Sequence, residues 1–287
     1  MKKPLLEVIA IYTIILITGY LSYVLSPFEN NLCALFVADI MMTIVSYIFS
    51  LIKKNSSVYD AYWSVIPFFF LFIWMSDAQL TLNKYHWLIA GIFTFWSWRL
   101  TINWARSWTG WHHEDWRYVD FRKQFPKGFE FINFFGIHLF PTLIVFVSCS
   151  GLYYFFRSPF IQFPSWCIVG GLISFIGILL EFFADNTLYN YRKSGKKTEG
   201  DVLREGLWKY SRNPNYLGEM LFWIGMAIVG NSVGDVPIWT ITGAIGMVLM
   251  FLFASIPMKE KRQSRKAAFK KYQEEVSILI PMPVKKK

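Results

Sequence analysis

Arg212, Asn213, Asn215, Tyr216 and Glu219 crowd together in G-L-W-K-Y-S-R-N-P-N-Y-L-G-E-M (Gly206–Met220), just ahead of the apolar run L-F-W-I-G-M-A-I-V-G. Gly206 permits a turn, and Pro214 suits the first turn of a helix, where its missing N–H costs nothing. The positive end of that helix together with the Arg212 guanidinium forms an anion site. Asn213 and Asn215 offer donors and acceptors to a base or an amide. Glu219, one turn deeper, either accepts from a carboxamide or a ribose or neutralises Arg99. Tyr210, Ser211 and Tyr216 line the same stretch. This set fits a phosphorylated or otherwise anionic cofactor.

Other ionisable residues sit where lipid is expected, each costing about 3 kcal/mol or more unless paired or facing a wet cavity. Arg99, Asn103 and Arg106 share one helical face, as do Glu181, Asp185, Tyr189 and Arg192. Asn215 and Glu219 are one turn apart, and Asp60 and Trp63 open another apolar run. Interhelical ion pairs, Arg99 or Arg106 to Glu181, Asp185 or Glu219, are one reading. Buried pairs often add little net stability, and four polar faces at one depth favour a cavity open to the cytoplasm. A ligand with a charged half would descend into it from water, and an apolar partner would enter from the lipid.

The elements that must position these groups are membrane helices. The chain of 287 residues is 54% apolar and 20% aromatic, its mean hydropathy is +0.35, and only 17% is charged. Eight apolar runs stand out: Leu5–Leu25, Leu32–Ile52, Ala61–Met75, Tyr85–Ser107, Phe131–Phe156, Pro164–Phe183, Tyr216–Gly230 and Val236–Ile256. Most reach the roughly 20 residues that cross a bilayer; the third, interrupted by Pro67, and the seventh are shorter. The first run is too long for a signal peptide and lacks a cleavage site. The expectation is an all-α polytopic membrane protein, a bundle of seven or eight helices forming a single domain over residues 1–287. With both termini in the cytoplasm, nearly all of the 29 lysines and arginines fall on that side. The net charge of +10 then reads as an anionic-lipid face, not a nucleic-acid site. The tail K-E-K-R-Q-S-R-K-A-A-F-K-K-Y-Q-E-E-V reads as a short basic surface helix. Cys33, Cys149 and Cys167 lie inside apolar runs, and the four histidines show no ligand spacing, so no metal site is expected.

The Gly206–Glu219 stretch resembles the signature of the steroid 5-alpha-reductase-like membrane reductases, in particular a bacterial branch with G-x-W-x-Y-S-R-H-P-N-Y-F-G-E. Y-D-A-Y-W (Tyr59–Trp63), W-R-L-T-I-N-W-A-R with E-D-W-R-Y (Trp98–Arg106, Glu114–Tyr118), E-F-F-A-D-N-T-L-Y-N-Y-R-K (Glu181–Lys193) and the tail Met258–Pro283 resemble further family blocks in the same order. The resemblance covers about 60–283. It implies a helical bundle in the cell inner membrane if bacterial, which binds NADPH from the cytoplasm and reduces an activated C=C bond of a steroid-like or other lipid. It places Glu181, Asp185, Arg192, Tyr210, Ser211, Arg212, Asn213, Asn215, Tyr216 and Glu219 at the dinucleotide, with Lys261, Arg262 and Arg265 in the segment over it. Arg192, Lys193, Lys196 and Lys197 supply charge suited to a 2′-phosphate. The family's catalytic tyrosine, three residues before Arg99, is Trp96 here, and its catalytic glutamate has Asp60 as nearest counterpart. Asp60, Tyr62 or Tyr118 then supplies the proton, beside Arg99, or the substrate and chemistry differ.

Two other readings stand beside this one. Membrane methyltransferases that use S-adenosylmethionine carry a related R-H-P-x-Y-x-G-like element, but lack the upstream G-x-W-x-Y and the E-x-x-x-D helix. A non-enzymatic lipid-binding protein is the third; Trp96 favours it, and the retained charged residues count against it.

Overall fold

The computed structural model describes residues 3–76, 82–194 and 202–285. About 80% of the structure is helical, and the described residues form no strands. Among the described residues seven helical segments are long and apolar enough to cross a membrane, so this is an all-α polytopic membrane protein. The chain forms two compact units, Met1–Pro159 and Phe160–Lys287.

In the first unit, α1 (Lys3–Val24) and α2 (Asn31–Lys53) pair antiparallel. The Asn30 side chain caps α2 by accepting from the Leu32 and Cys33 amides, and Lys54, in a left-handed conformation, ends it. A 3-10 turn, Ser56–Tyr59, then leads into α3 (Tyr62–Ser76). The helix runs through Pro67 with support from α4 (Lys84–Ser107). The Ser97 hydroxyl donates to the Ser64 carbonyl at 2.8 Å, and Ser64 Oγ lies 2.8 Å from Thr101 Oγ1. Hydroxyls from a neighbour are how a membrane helix tolerates a proline. At 24 residues α4 is about 36 Å long. Its two arginines and its tryptophans keep it out of the seven strongly apolar segments. α5 (Trp116–Gln124) is a short polar helix, and Phe129–Arg157 forms α6. Between Ile132 and Leu139, α6 widens into a π-turn.

The second unit opens with α7 (Pro164–Lys193), 30 residues and about 45 Å long. Hydrocarbon accounts for about 30 Å, so the last turns of α7 outrun the lipid. Those turns carry Asp185, Tyr189 and Arg192, with Glu181 one turn before them. α8 (Pro214–Gly230) begins at the expected proline, and a 3-10 turn extends it to Val233. α7 and α8 touch backbone to backbone. A Cβ on Gly177 would fall 2.5 Å from the Gly218 carbonyl oxygen, and one on Gly170 would fall 2.6 Å from that of Gly225. Ser174, between the two contacts, donates to the Phe222 carbonyl at 2.9 Å. Small residues repeated at sevens give this approach, the usual way membrane helices gain contact. α9 (Ile238–Gln263), with a π-turn at Phe251–Ser255, is followed by α10 (Ala267–Glu275) and an extended strap over residues 276–285.

Candidate active site

In the second unit the Gly206–Glu219 stretch meets the strap. Trp208 is fixed first: its indole donates to the Ala184 carbonyl of α7 at 2.9 Å. The Tyr272 hydroxyl of α10 donates to the Trp208 carbonyl at 2.5 Å, and burial pushes that phenol well above its usual range. Ser211 pairs with Ser277 as an isolated parallel bridge, and its hydroxyl donates to the Leu279 carbonyl at 2.6 Å. The Arg212 amide donates to the Ser277 carbonyl at 2.9 Å. Asn213 Nδ2 reaches the Ile278 carbonyl at 2.8 Å, and the Met282 amide reaches the Tyr210 carbonyl at 3.1 Å.

The Arg212 guanidinium faces protein groups. Its Nη2 lies 2.8 Å from Glu260 Oε2, and its Nε donates to Glu260 Oε1 and Oε2 at 3.2 and 3.0 Å. Its Nη1 donates to the Gln273 and Val276 carbonyls at 3.0 and 2.5 Å. Arg212 is 9% exposed and Glu260 12%. The donors of the fork therefore hold the end of α9, α10 and the start of the strap, so this side chain is a clasp between distant segments.

Deeper in α8, Asn215 Nδ2 lies 3.4 Å from Asp185 Oδ1 on α7, and Glu219 Oε1 accepts from the Trp223 indole at 2.9 Å. Asn213 Oδ1 and Asn215 Oδ1 are buried acceptors with no hydrogen-bond partner among the described residues. Glu181 is buried on the same face of α7 as Asp185. Arg192 and Tyr210 are exposed, as are Lys261, Arg262 and Arg265. The inward cation of the tail is Lys259, which sequence reasoning missed. Its ammonium donates to the Arg212 carbonyl at 3.3 Å and sits 4.6 and 4.8 Å from the ring centres of Trp208 and Tyr216. Lys196 and Lys197 lie outside the described residues.

In the first unit the loop after α4 folds over the 3-10 turn before α3. Asn55 Nδ2 donates to the Trp111 and His113 carbonyls, both at 3.0 Å. Glu114 Oε1 accepts from the Ser56 amide at 2.8 Å and from Arg122 at 3.0 Å. The Asp115 amide donates to Ser57 Oγ at 2.8 Å, and the Asp115 carboxylate caps α5 at the Arg117 amide. These ties bring Tyr118 onto Asp60, its hydroxyl donating to Asp60 Oδ1 at 2.8 Å. Tyr118 is buried, and its phenol is raised well above the usual range, first by burial and then by the Asp60 charge. Tyr62 is held elsewhere. Its hydroxyl donates to Asp39 Oδ1 at 2.8 Å and contacts Thr43 Oγ1 at 2.9 Å, within a buried set that also includes Tyr59 and Thr142. Asp39, 1% exposed inside α2, was not singled out from the sequence. Arg99 and Trp96 are buried on α4. Among the described residues no group of three or more His, Cys, Asp and Glu could hold a metal.

The profile of a family described as a protein of unknown function, DUF1295, matches residues 46–276. The chain belongs to the DUF1295 family. This is a steroid 5-alpha-reductase-like family. The DUF1295 chain is 26% identical to an uncharacterized protein of Schizosaccharomyces pombe over 79% of its own length and 73% of that protein's. It is 31% identical to 3-oxo-5-alpha-steroid 4-dehydrogenase 1 of Macaca fascicularis and 30% identical to that of Homo sapiens, in each case over 40% of both chains. The matches therefore span less than half of these two relatives. No solved structure matches the chain.

Proposed function

We propose that this protein is a membrane reductase that uses NADPH to reduce an activated, enone-like C=C bond of a steroid-like or other lipid. The observation that carries the reading is the unfilled pair of acceptors at the start of α8. Asn213 Oδ1 and Asn215 Oδ1 are both buried, the latter on a side chain that meets Asp185, and a ligand that donates hydrogen bonds, such as a carboxamide or ribose hydroxyls, would complete them. The likeness to 3-oxo-5-alpha-steroid 4-dehydrogenase 1 supports a reductase that acts beside a carbonyl.

In this reading Asp185, Asn213, Asn215 and Glu219 hold the cofactor, with Glu181 behind them and Arg192, Tyr210, Lys261, Arg262 and Arg265 at the aqueous edge. NADPH supplies the hydride. The remaining chemistry belongs to the chain. Tyr118 keeps its proton at neutral pH because burial and the Asp60 charge oppose its ionisation. Its one proton, donated to Asp60 in the resting structure, turns to a strongly basic oxygen, such as a developing enolate, once substrate is bound. Arg99, buried on α4, contributes positive charge toward the same oxygen. The active site faces the cytoplasm, where the cofactor is found.

Isothermal titration of detergent-purified protein with NADPH and with S-adenosylmethionine tests the reading. NADPH binding that falls at least tenfold in Asn215→Asp, which sets a second carboxylate against Asp185, supports it. Binding of S-adenosylmethionine alone would overturn it in favour of methyl transfer, and no binding of either would leave a lipid-binding protein.

A further inference from the structure

The strap is pinned along one edge and bare along the other. Ser277, Ile278 and Leu279 give their carbonyls to Arg212, Asn213 and Ser211, and the Met282 and Lys285 amides bond to the Tyr210 and Glu275 carbonyls. The backbone is thus committed, and alternate side chains must point away from the protein. Ile278, Ile280 and Met282, which follow that period of two, are 46%, 57% and 53% exposed. Pro281 and Pro283 between and beyond them are exposed as well. Burying a strip of this kind is favourable, and nothing within its own unit covers it.

Its position says what does. The residues that grip the strap, Tyr210 to Asn213, directly precede Pro214, the first residue of a segment long and apolar enough to span the membrane. The strip therefore lies where that helix meets the hydrocarbon boundary. Exposed cations stand near it in the chain: Lys285 on the strap itself, Lys270 and Lys271 on α10 just before it, and Lys209 next to Tyr210. Apolar side chains flanked by lysines are the composition that seats a segment in an anionic interface.

We propose that the strap is an interfacial anchor: Ile278, Ile280 and Met282 dip into the acyl-headgroup boundary of an anionic leaflet, and Ser211, Arg212 and Asn213 buckle that anchor to the start of α8. The occupant of this face is the lipid surface itself. The inference stands whether or not the protein binds NADPH.

The test uses the full chain with exposed Cys33 replaced by serine and single cysteines at positions 278, 279, 280 and 282, each carrying an environment-sensitive fluorophore, in lipid nanodiscs. In discs containing phosphatidylglycerol, labels on Ile278→Cys, Ile280→Cys and Met282→Cys should be quenched by lipids bearing a shallow nitroxide, while one on Leu279→Cys should not. Lys285→Gln should weaken the quenching in anionic discs about fivefold, the factor for one basic residue at such a surface. Quenching of all four positions by aqueous iodide, with no response to the nitroxide lipids, would overturn the proposal. So would self-quenching that appears only with two copies per disc, which would make a second chain the occupant.

Discussion

Replacing Arg212 with lysine keeps the positive charge and removes the fork. A lysine ammonium still pairs with Glu260, but it is a point charge and does not span the carboxylate and the Gln273 and Val276 carbonyls together. Leaving a buried carbonyl without its donor costs about 1–3 kcal/mol, and two carbonyls lose theirs here. The buried ion pair survives, so the larger penalty for stranding a charge does not apply. Taking about 3 kcal/mol for the sum, the equilibrium for local opening of the strap shifts about 100-fold, since 1.4 kcal/mol is a factor of ten. Hydrogen exchange in detergent reads this directly. The amides of Arg212 and Met282, bonded to the Ser277 and Tyr210 carbonyls, should exchange about 100-fold faster, while amides in the middle of α7 should not change. Unchanged exchange across 210–213 and 276–282 with a loss of NADPH binding would refute the reasoning, because the guanidinium would then be a ligand group and not a clasp.

Tyr118→Phe should lower turnover about 100-fold or more, the usual contribution of a positioned acid, and leave NADPH affinity within twofold by titration. The same phenol predicts an alkaline effect. Its folded pKa lies above the 10.0 it has when free, so it contributes stability below pH 10 that is lost as pH rises further and the unfolded chain ionises first. Melting curves in detergent above pH 10 should therefore fall more steeply for the wild type than for Tyr118→Phe. Gly218→Leu cannot fit against Gly177 and Glu181 and should cost about 1–3 kcal/mol or more in overpacking, read as a lower melting temperature with weakened NADPH binding.

Long apolar runs announced the helices because the bilayer demands about 20 residues at a stretch. The third and seventh runs seemed short in sequence because turns rich in serine, asparagine or tyrosine, Ser56–Tyr59 and Asn231–Val233, complete them in space. The polar faces of α7 and α8 were legible from spacing by fours, and Asp185 and Asn215 do meet. The employment of Arg212 was not legible, since its partners stand 48 to 64 residues away and no local pattern connects them. That Tyr118 meets Asp60 while Tyr62 meets Asp39 was hidden for a related reason. Both are within the matching blocks, but only the fold of the loop around Glu114 and Asp115 brings one of them to Asp60. Lys259 looked like one more basic tail residue, and its distinguishing contacts, the Arg212 carbonyl and the Trp208 and Tyr216 rings, come from segments far away in the chain.

The seam of Gly170, Gly177, Gly218 and Gly225 bears on how the protein is made. Two helices whose backbones fit this closely need no third partner to recognise one another in lipid. As a ribosome delivers them in turn, α7 and α8 can join as a hairpin while α9 and the strap are still unsynthesised. The clasp residues Ser211, Arg212 and Asn213 would then already be held at the membrane boundary when the last segment of the chain emerges. The strap would then close onto a receptor already formed, so a chain cut before residue 276 would be inserted and helical yet unlatched.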